Sequence, residues 1–61
     1  MLSARRQQIL ALLLSGQGNR DIARALGVAE GTIKNHVSHI MRAFDVDSRP
    51  RLMLRAREMG L

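Results

Sequence analysis

The stretch NRDIARALGVAEGTIKNHVSHIMRAF, residues 19–44, has the pattern of two helices joined by a sharp turn. Asn19 is a candidate N-cap for a short helix over residues 20–26, because its side chain can accept a hydrogen bond from a free backbone N–H group. Gly27 can adopt the left-handed conformation at low cost, which ends this helix and lets another begin near Glu30. The pattern predicts a helix-turn-helix whose second helix covers residues 30–44.

The second of these helices has one apolar and one polar face. Apolar residues recur at helical spacing along one stripe, formed by Ile33, Val37, Ile40, Met41 and Phe44. The opposite side carries Gly31, Asn35, Ser38 and Arg42, with Lys34 on one flank and Thr32 and His39 on the other. We therefore expect the stripe to face the core and the polar, net basic side to face outward.

The residues around the turn match the requirements of a helix-turn-helix. Such a motif needs a small residue where the helices cross, a Gly in the turn, and apolar residues on both sides. Ala23 and Gly27 fill the first two roles, and the apolar set is Ile22, Leu26, Val28, Ile33 and Val37. On this pattern alone, an ordinary helical bundle whose turn contains Gly remains the alternative.

A helix also precedes this stretch. Ser3 is a candidate N-cap, and residues 4–15 contain neither Gly nor Pro until Gly16 ends the pattern. The polar start of this helix, from Arg5 to Gln8, is expected to stay solvated.

The chain after the third helix predicts a fourth. Asp45 is expected to take the left-handed position in place of the usual Gly, with Val46 folding back as an apolar plug. The fourth helix is predicted over residues 49–59, beginning at Arg49 or Pro50. Because the residue before a Pro disfavours the α region, Arg49 is the candidate capping residue, with Ser48 just outside the helix. The expected fold class is therefore all-α, a compact domain of four helices.

The composition limits the chain to one small domain with an aliphatic core. Its 61 residues are 46% hydrophobic but only 2% aromatic, which favours packed helices over aromatic-rich strands. The formal net charge of +5 favours a polyanionic partner such as nucleic acid.

The residue types argue against an enzyme, a cofactor and a metal site. The chain has no cysteine, and His36 and His39 lack a carboxylate or thiol at ligand spacing. No catalytic triad or carboxylate pair appears at workable spacing. The longest apolar run, Ile9 to Leu14, is too short to cross a bilayer, so we expect a cytoplasmic protein with no membrane partner.

The whole chain resembles the LuxR-type (FixJ/NarL, GerE) helix-turn-helix domain of bacterial transcription regulators. The matching stretches are LSARRQQIL, NRDIARALGV, EGTIKNHVSHIMRAFDVDSR and a closing A..MGL. This resemblance implies a DNA-binding domain over residues 1–61, usually the C-terminal output domain of a longer regulator. It also implies binding to double-stranded DNA as a dimer on inverted half-sites, and contact with RNA polymerase where the regulator activates.

Several positions depart from the family pattern. Arg6 stands where the family usually has Glu, and Gly18 and Ala29 stand where Ser or Thr usually caps or precedes a helix. Asp45 replaces Gly, and Ala43 replaces a common Lys. None of these changes removes a polar group from the outward side of the third helix, but Ala29 leaves that helix with a poor N-cap.

The resemblance assigns candidate roles to individual residues. It implies base contacts by Lys34, Asn35 and Ser38, and phosphate contacts by Asn19, Thr32, His36 and Arg42. His36 lies between the polar face and the apolar stripe, so a packing role is the alternative for it. Thr32 has the alternative of a local helix-end hydrogen bond, and Arg20 and Arg24 have that of simple solvation.

The fourth helix is the expected site of self-association. Leu52, Ala56 and Met59 form one apolar stripe, and Met53 and Leu54 extend the apolar surface beyond it. The resemblance implies that this helix pairs with its two-fold mate, with Leu52, Met53 and Ala56 at the interface. The small area that one short helix can bury predicts that this homodimer is weak. Met53 has the alternative of filling the edge of the core. A module that uses the same motif to bind a partner protein is the alternative for the function as a whole.

Overall fold

The computed structural model describes residues 2–61 and contains four α-helices and no strand within that range. The helices are α1 (Ala4–Leu14), α2 (Asn19–Leu26), α3 (Glu30–Ala43) and α4 (Arg49–Glu58). The predicted all-α class and the order of the helices are confirmed. Each predicted helix differs from the observed one by a single residue at one end.

The helices begin in two different ways. Ser3 and Ser48 cap α1 and α4, because their side chains accept hydrogen bonds from the backbone N–H groups of Arg6 and Arg51. The cap of α4 is therefore Ser48 and not Arg49. Helices α2 and α3 have no side-chain cap, since Gly18 and Ala29 occupy these positions.

The prediction that Asn19 caps α2 is wrong. Asn19 is the first residue inside the helix, and Gly18 precedes it in an extended conformation with φ −81° and ψ 169°. The Gly18 carbonyl accepts the first backbone hydrogen bond of the helix, from Ile22 N at 3.0 Å. The Asn19 side chain is consequently available for another contact.

Helices α2 and α3 are each followed by a residue in the left-handed conformation. Gly27 has φ +69° after α2, and Asp45 has φ +55° after α3. In each case the following Val donates its N–H back to the last turn, Val28 to Ala23 O at 3.0 Å and Val46 to Met41 O at 3.0 Å. The expected left-handed Asp45 and the returning Val46 are confirmed.

The core is aliphatic and lies where α1, α2 and α3 meet. Its largest fully buried side chains are Ile9, Leu13, Ile22, Ile33, Ile40 and Leu52. Ala23 is buried in the same cluster, as the crossing of the two motif helices requires. No polar or charged residue within residues 2–61 is buried. Packing of apolar side chains therefore fixes the orientation of the motif.

Helix α4 closes the core from the C-terminal side. Leu52 and Ala56 are fully buried, and Arg55 Nη1 donates a hydrogen bond of 2.9 Å to the Phe44 carbonyl beyond the end of α3. Apolar surface of α4 remains uncovered on Met53 and Leu54, as the sequence predicts. Met59 and Leu61, which follow the helix, are also exposed, so Met59 does not share the burial of Leu52 and Ala56. None of the helices described here is long and apolar enough to span a membrane.

Candidate nucleic-acid interface

One side of α3 faces solvent and carries polar and basic groups. Ile33, Val37 and Ile40 hold the opposite side of the helix in the core. The side chains of Lys34, Asn35, Ser38 and Arg42 are exposed, and none has a hydrogen bond or ion pair with another residue among residues 2–61. We call these four residues the reading face. Their donors and acceptors are all available to a ligand.

The start of α3 is also open. Ala29 supplies no side-chain cap, so the backbone N–H groups of Glu30 and Gly31 have no side-chain partner, while the Thr32 N–H donates to the Ala29 carbonyl at 3.1 Å. Thr32 is exposed in this turn, and its hydroxyl makes no hydrogen bond within the described chain. The positive end of the helix dipole and a free hydroxyl therefore lie together beside the reading face.

His36 occupies the boundary between the reading face and the core. It is half-buried, and its Nδ1 accepts a hydrogen bond of 3.4 Å from Arg6 Nε. Because a guanidinium group has no acceptor, the neutral ring must carry its proton on Nε2. His36 thus packs against α1 while keeping one donor. The expectation that Arg6 stays solvated is wrong, since this contact leaves it half-buried.

Asn19 is joined to the start of α4. Its Oδ1 accepts a hydrogen bond of 2.6 Å from Arg49 Nη1, and Arg49 Nη2 donates to the Gln17 carbonyl at 3.0 Å. The sequence predicts Arg49 only as a residue at the start of α4 and does not predict its hydrogen bonds to Asn19 and Gln17. The contact joins residues 30 positions apart, and no local periodicity signals it.

The charges are distributed unevenly over the surface. The ion pairs among residues 2–61 are Arg51 with Asp47 at 3.6 Å and Arg55 with Glu58 at 4.0 Å, both at α4. The cations of the helix-turn-helix have no such partner; they are Arg20, Arg24, Lys34 and Arg42. Lys34 and Arg42 on the reading face therefore carry positive charge that no ion pair among residues 2–61 compensates.

The residues predicted at a dimer interface do not lie together on the surface. Leu52 and Ala56 have no exposed area because they pack into the domain's own core. A buried side chain cannot contact a second subunit, so these two positions are corrected to core residues. Met53 is 37% exposed and remains available.

Comparison with known proteins agrees with this geometry. The profile of the family "Bacterial regulatory proteins, luxR family" matches residues 1–56. The chain is 42% identical over 48 residues to the putative HTH-type transcriptional regulator YhjB of Escherichia coli, covering 79% of this chain and 24% of that protein. It is 43% identical over 53 residues to the oxygen regulatory protein NreC of Staphylococcus haemolyticus, covering 87% of this chain and 24% of that protein. The chain thus spans about a quarter of the length of these relatives.

Solved structures of response regulators have the same fold as this chain. The DNA-binding domain of the response regulator ComA, in a complex with the anti-activator RapF, superposes with a TM-score of 0.87 at 30% identity, covering 93% of this chain and 98% of that one. The response regulator ChrA of a heme-sensing two-component system superposes with a TM-score of 0.89 at 38% identity, covering 98% of this chain and 30% of that one. The chain belongs to the LuxR family of bacterial regulatory proteins and is a helix-turn-helix DNA-binding domain of that family.

Proposed function

We propose that this domain binds a specific double-stranded DNA sequence by placing α3 in the major groove. The observation that carries the proposal is the reading face, whose four side chains are exposed and have no hydrogen-bond or ion-pair partner among residues 2–61. The major groove is about 12 Å wide and admits an α-helix, and its base edges offer a distinct pattern for each base pair. Lys34, Asn35 and Ser38 would contact base edges.

Phosphate contacts would hold the helix in register. Arg42 lies on the reading face, and Thr32 lies in the open first turn of α3, where the helix dipole favours an anion. His36 retains a donor at Nε2, and Asn19 lies in the first turn of α2, the helix that crosses the DNA backbone in such motifs. Contacts of this kind fix orientation without reading sequence.

The domain acts as the C-terminal output domain of a longer cytoplasmic regulator and binds inverted half-sites as a dimer. Its relatives are between three and four times as long, which leaves room for a signal-receiving part. The exposed surface of α4 around Met53 is the proposed pairing surface, because apolar side chains remain uncovered there. In a regulator that activates transcription, RNA polymerase would be a further partner.

Selection of preferred sequences from random duplex DNA, followed by binding titrations, tests the proposal. We expect Asn35→Ala to lose discrimination at one base pair, because a lost bidentate contact costs about 1 to 3 kcal/mol there. We expect Arg42→Ala to weaken binding to all sequences and to lower the salt slope by about one unit.

The matched control is Arg5→Ala, which removes the same charge from an exposed position on α1, outside the reading face and the proposed pairing surface. It should leave the affinity and the salt slope close to those of the unmodified domain. An equal loss of affinity for every sequence in Asn35→Ala would refute base reading by that residue. Absence of DNA binding by the unmodified domain at every salt concentration would favour a protein-binding module instead.

A further inference from the structure

Arg49 makes an unusual contact for a residue at the start of a surface helix. Its guanidinium group spans from α4 to the segment before α2 and donates to two neutral oxygens, Asn19 Oδ1 and Gln17 O. It forms no ion pair within residues 2–61. Both Arg49 and Asn19 are half-buried, so the contact is partly shielded from competing water.

The chemistry of this contact fixes the orientation of the Asn19 carboxamide. A guanidinium group carries only donors, and the Asn19 atom that lies 2.6 Å from Arg49 Nη1 must therefore be the amide oxygen. The Nδ2 group is then turned away from Arg49, and it has no hydrogen-bond partner in the described chain. A phosphate oxygen needs a donor, so this is the orientation that suits a phosphate contact.

The segment that Arg49 holds has backbone hydrogen bonds, from Gln17 N to Leu12 O at 3.3 Å and from Ile22 N to Gly18 O at 3.0 Å, but no side-chain cap. Gly18 has no side chain and gives α2 no side-chain cap. The hydrogen bonds of Arg49 to Gln17 and Asn19 lie on either side of this glycine and so restrain it. Core packing fixes α2 against α3, and the orientation of the Asn19 side chain on α2 is set by a residue of the fourth helix.

We infer that Arg49 is a positioning residue for DNA binding: it holds the oxygen of Asn19 inward and so presents the Nδ2 amide hydrogens to a phosphate of the DNA backbone. This inference rests on the proposed DNA-binding function. It differs from a direct role of Arg49, in which the guanidinium group itself would touch a phosphate. It also differs from a purely structural role, in which Arg49 would only stabilise the start of α2.

A double-mutant cycle separates the positioning role from a direct one. The probe is a short duplex of mixed sequence, since a backbone contact does not depend on base identity, and binding is followed by fluorescence anisotropy over a range of salt concentrations. We expect Arg49→Gln and Asn19→Ala each to lower affinity by about tenfold. The double variant should bind no more weakly than either single variant. Losses that multiply in the double variant would show that Arg49 acts independently of Asn19 and would overturn the inference.

A third substitution separates positioning from stability. Gly18→Ser gives α2 a side-chain cap, and the extended φ and the open space around this residue accommodate the side chain. Added to Arg49→Gln, it should restore the unfolding midpoint but leave DNA affinity reduced. Recovery of affinity together with stability would show a structural role and would overturn the inference.

An Arg49 variant that does not fold, or one that binds DNA as well as the unmodified domain, also gives a clear result. If Arg49→Gln does not fold, the cycle is run with Arg49→Lys. This substitution keeps the charge and donors on a single nitrogen but loses the planar guanidinium that reaches two oxygens, and the same criterion applies. Equal affinity of the unmodified domain and a folded Arg49 variant would overturn this inference while leaving the proposed function intact. Failure of the unmodified domain to bind the duplex at any salt concentration would overturn both.

Discussion

At the scale of single residues, the start of α3 is the clearest weakness of the domain. Ala29 stands at the N-cap with φ −70° and ψ 147°, which is the backbone conformation of a capping residue, but its methyl group accepts no hydrogen bond. We expect Ala29→Ser to raise the free energy of unfolding by about 1 kcal/mol, because the hydroxyl can accept from a free N–H group in the first turn. Chemical denaturation with circular dichroism measures this change.

The reverse substitution at another helix provides the control. Ser48 caps α4 by accepting from Arg51 N at 3.3 Å, so Ser48→Ala should lower the free energy of unfolding by about the same amount. If Ala29→Ser left the midpoint unchanged while Ser48→Ala lowered it, water or the neighbouring backbone would already satisfy the start of α3, and the prediction would fail.

At the scale of elements, the end of α3 carries a cost that the end of α2 avoids. Both ends place a residue in the left-handed region, but α2 uses Gly27 and α3 uses Asp45. The left-handed conformation costs an L-residue about 1 to 2 kcal/mol. Replacement by Gly removes this cost, but the greater entropy of Gly in the unfolded chain offsets part of the gain. The carboxylate also lies at the negative end of the helix dipole. We therefore expect Asp45→Gly to raise the free energy of unfolding by about 1 kcal/mol, measured by thermal or chemical unfolding.

Asp45→Asn separates the two contributions to this gain. Asn keeps the shape of the side chain and its tolerance of the left-handed region but removes the charge, so it should recover only the electrostatic part, about 0.3 kcal/mol. An equal gain in both variants would mean that the backbone conformation at Asp45 costs nothing measurable.

The sequence predicts the features that depend on the spacing of residue types within one helix or at its ends. The core and solvent sides of α3 follow from its helical periodicity, and the left-handed positions follow from residue types near the helix ends. The Asn19 cap was mispredicted by one position, because Gly18 can also precede a helix and the motif gives no signal that distinguishes them. The contacts of Arg49 with Asn19 and of Arg6 with His36 join residues distant in sequence, so only the packed structure brings them together.

The pairing residues on α4 show the same limit. Periodicity correctly places Leu52 and Ala56 on one stripe, but it does not say whether the stripe faces the domain's own core or a second subunit. The structure decides this by packing the stripe against α1–α3. What remains for a partner is the exposed surface around Met53.

At the scale of the whole molecule, the small exposed apolar surface around Met53 limits how strongly two copies of the domain can associate. A stable interface buries about 600 Å² on each partner. That would take about a seventh of the domain's total surface of 4218 Å², far more than the exposed parts of Met53 and Leu54 provide. Arg57 lies one turn after Met53 and would approach its own copy in a symmetric pair, which adds repulsion. We therefore expect the isolated domain to be monomeric or weakly dimeric.

DNA should drive the pairing, because two adjacent half-sites raise the local concentration of the second subunit and phosphates offset the repulsion between cations. We expect cooperative filling of a duplex with two half-sites, measured by gel shift or anisotropy titration, and loss of that cooperativity in Met53→Lys. The matched control is Met59→Lys, which makes the same change at the exposed Met that follows the last residue of α4, and it should keep cooperativity. Both variants gain one positive charge, so a general electrostatic effect would change them equally. Independent filling of the two half-sites by the unmodified domain would rule out pairing through α4, and the parent regulator would then have to dimerise through another part of its chain.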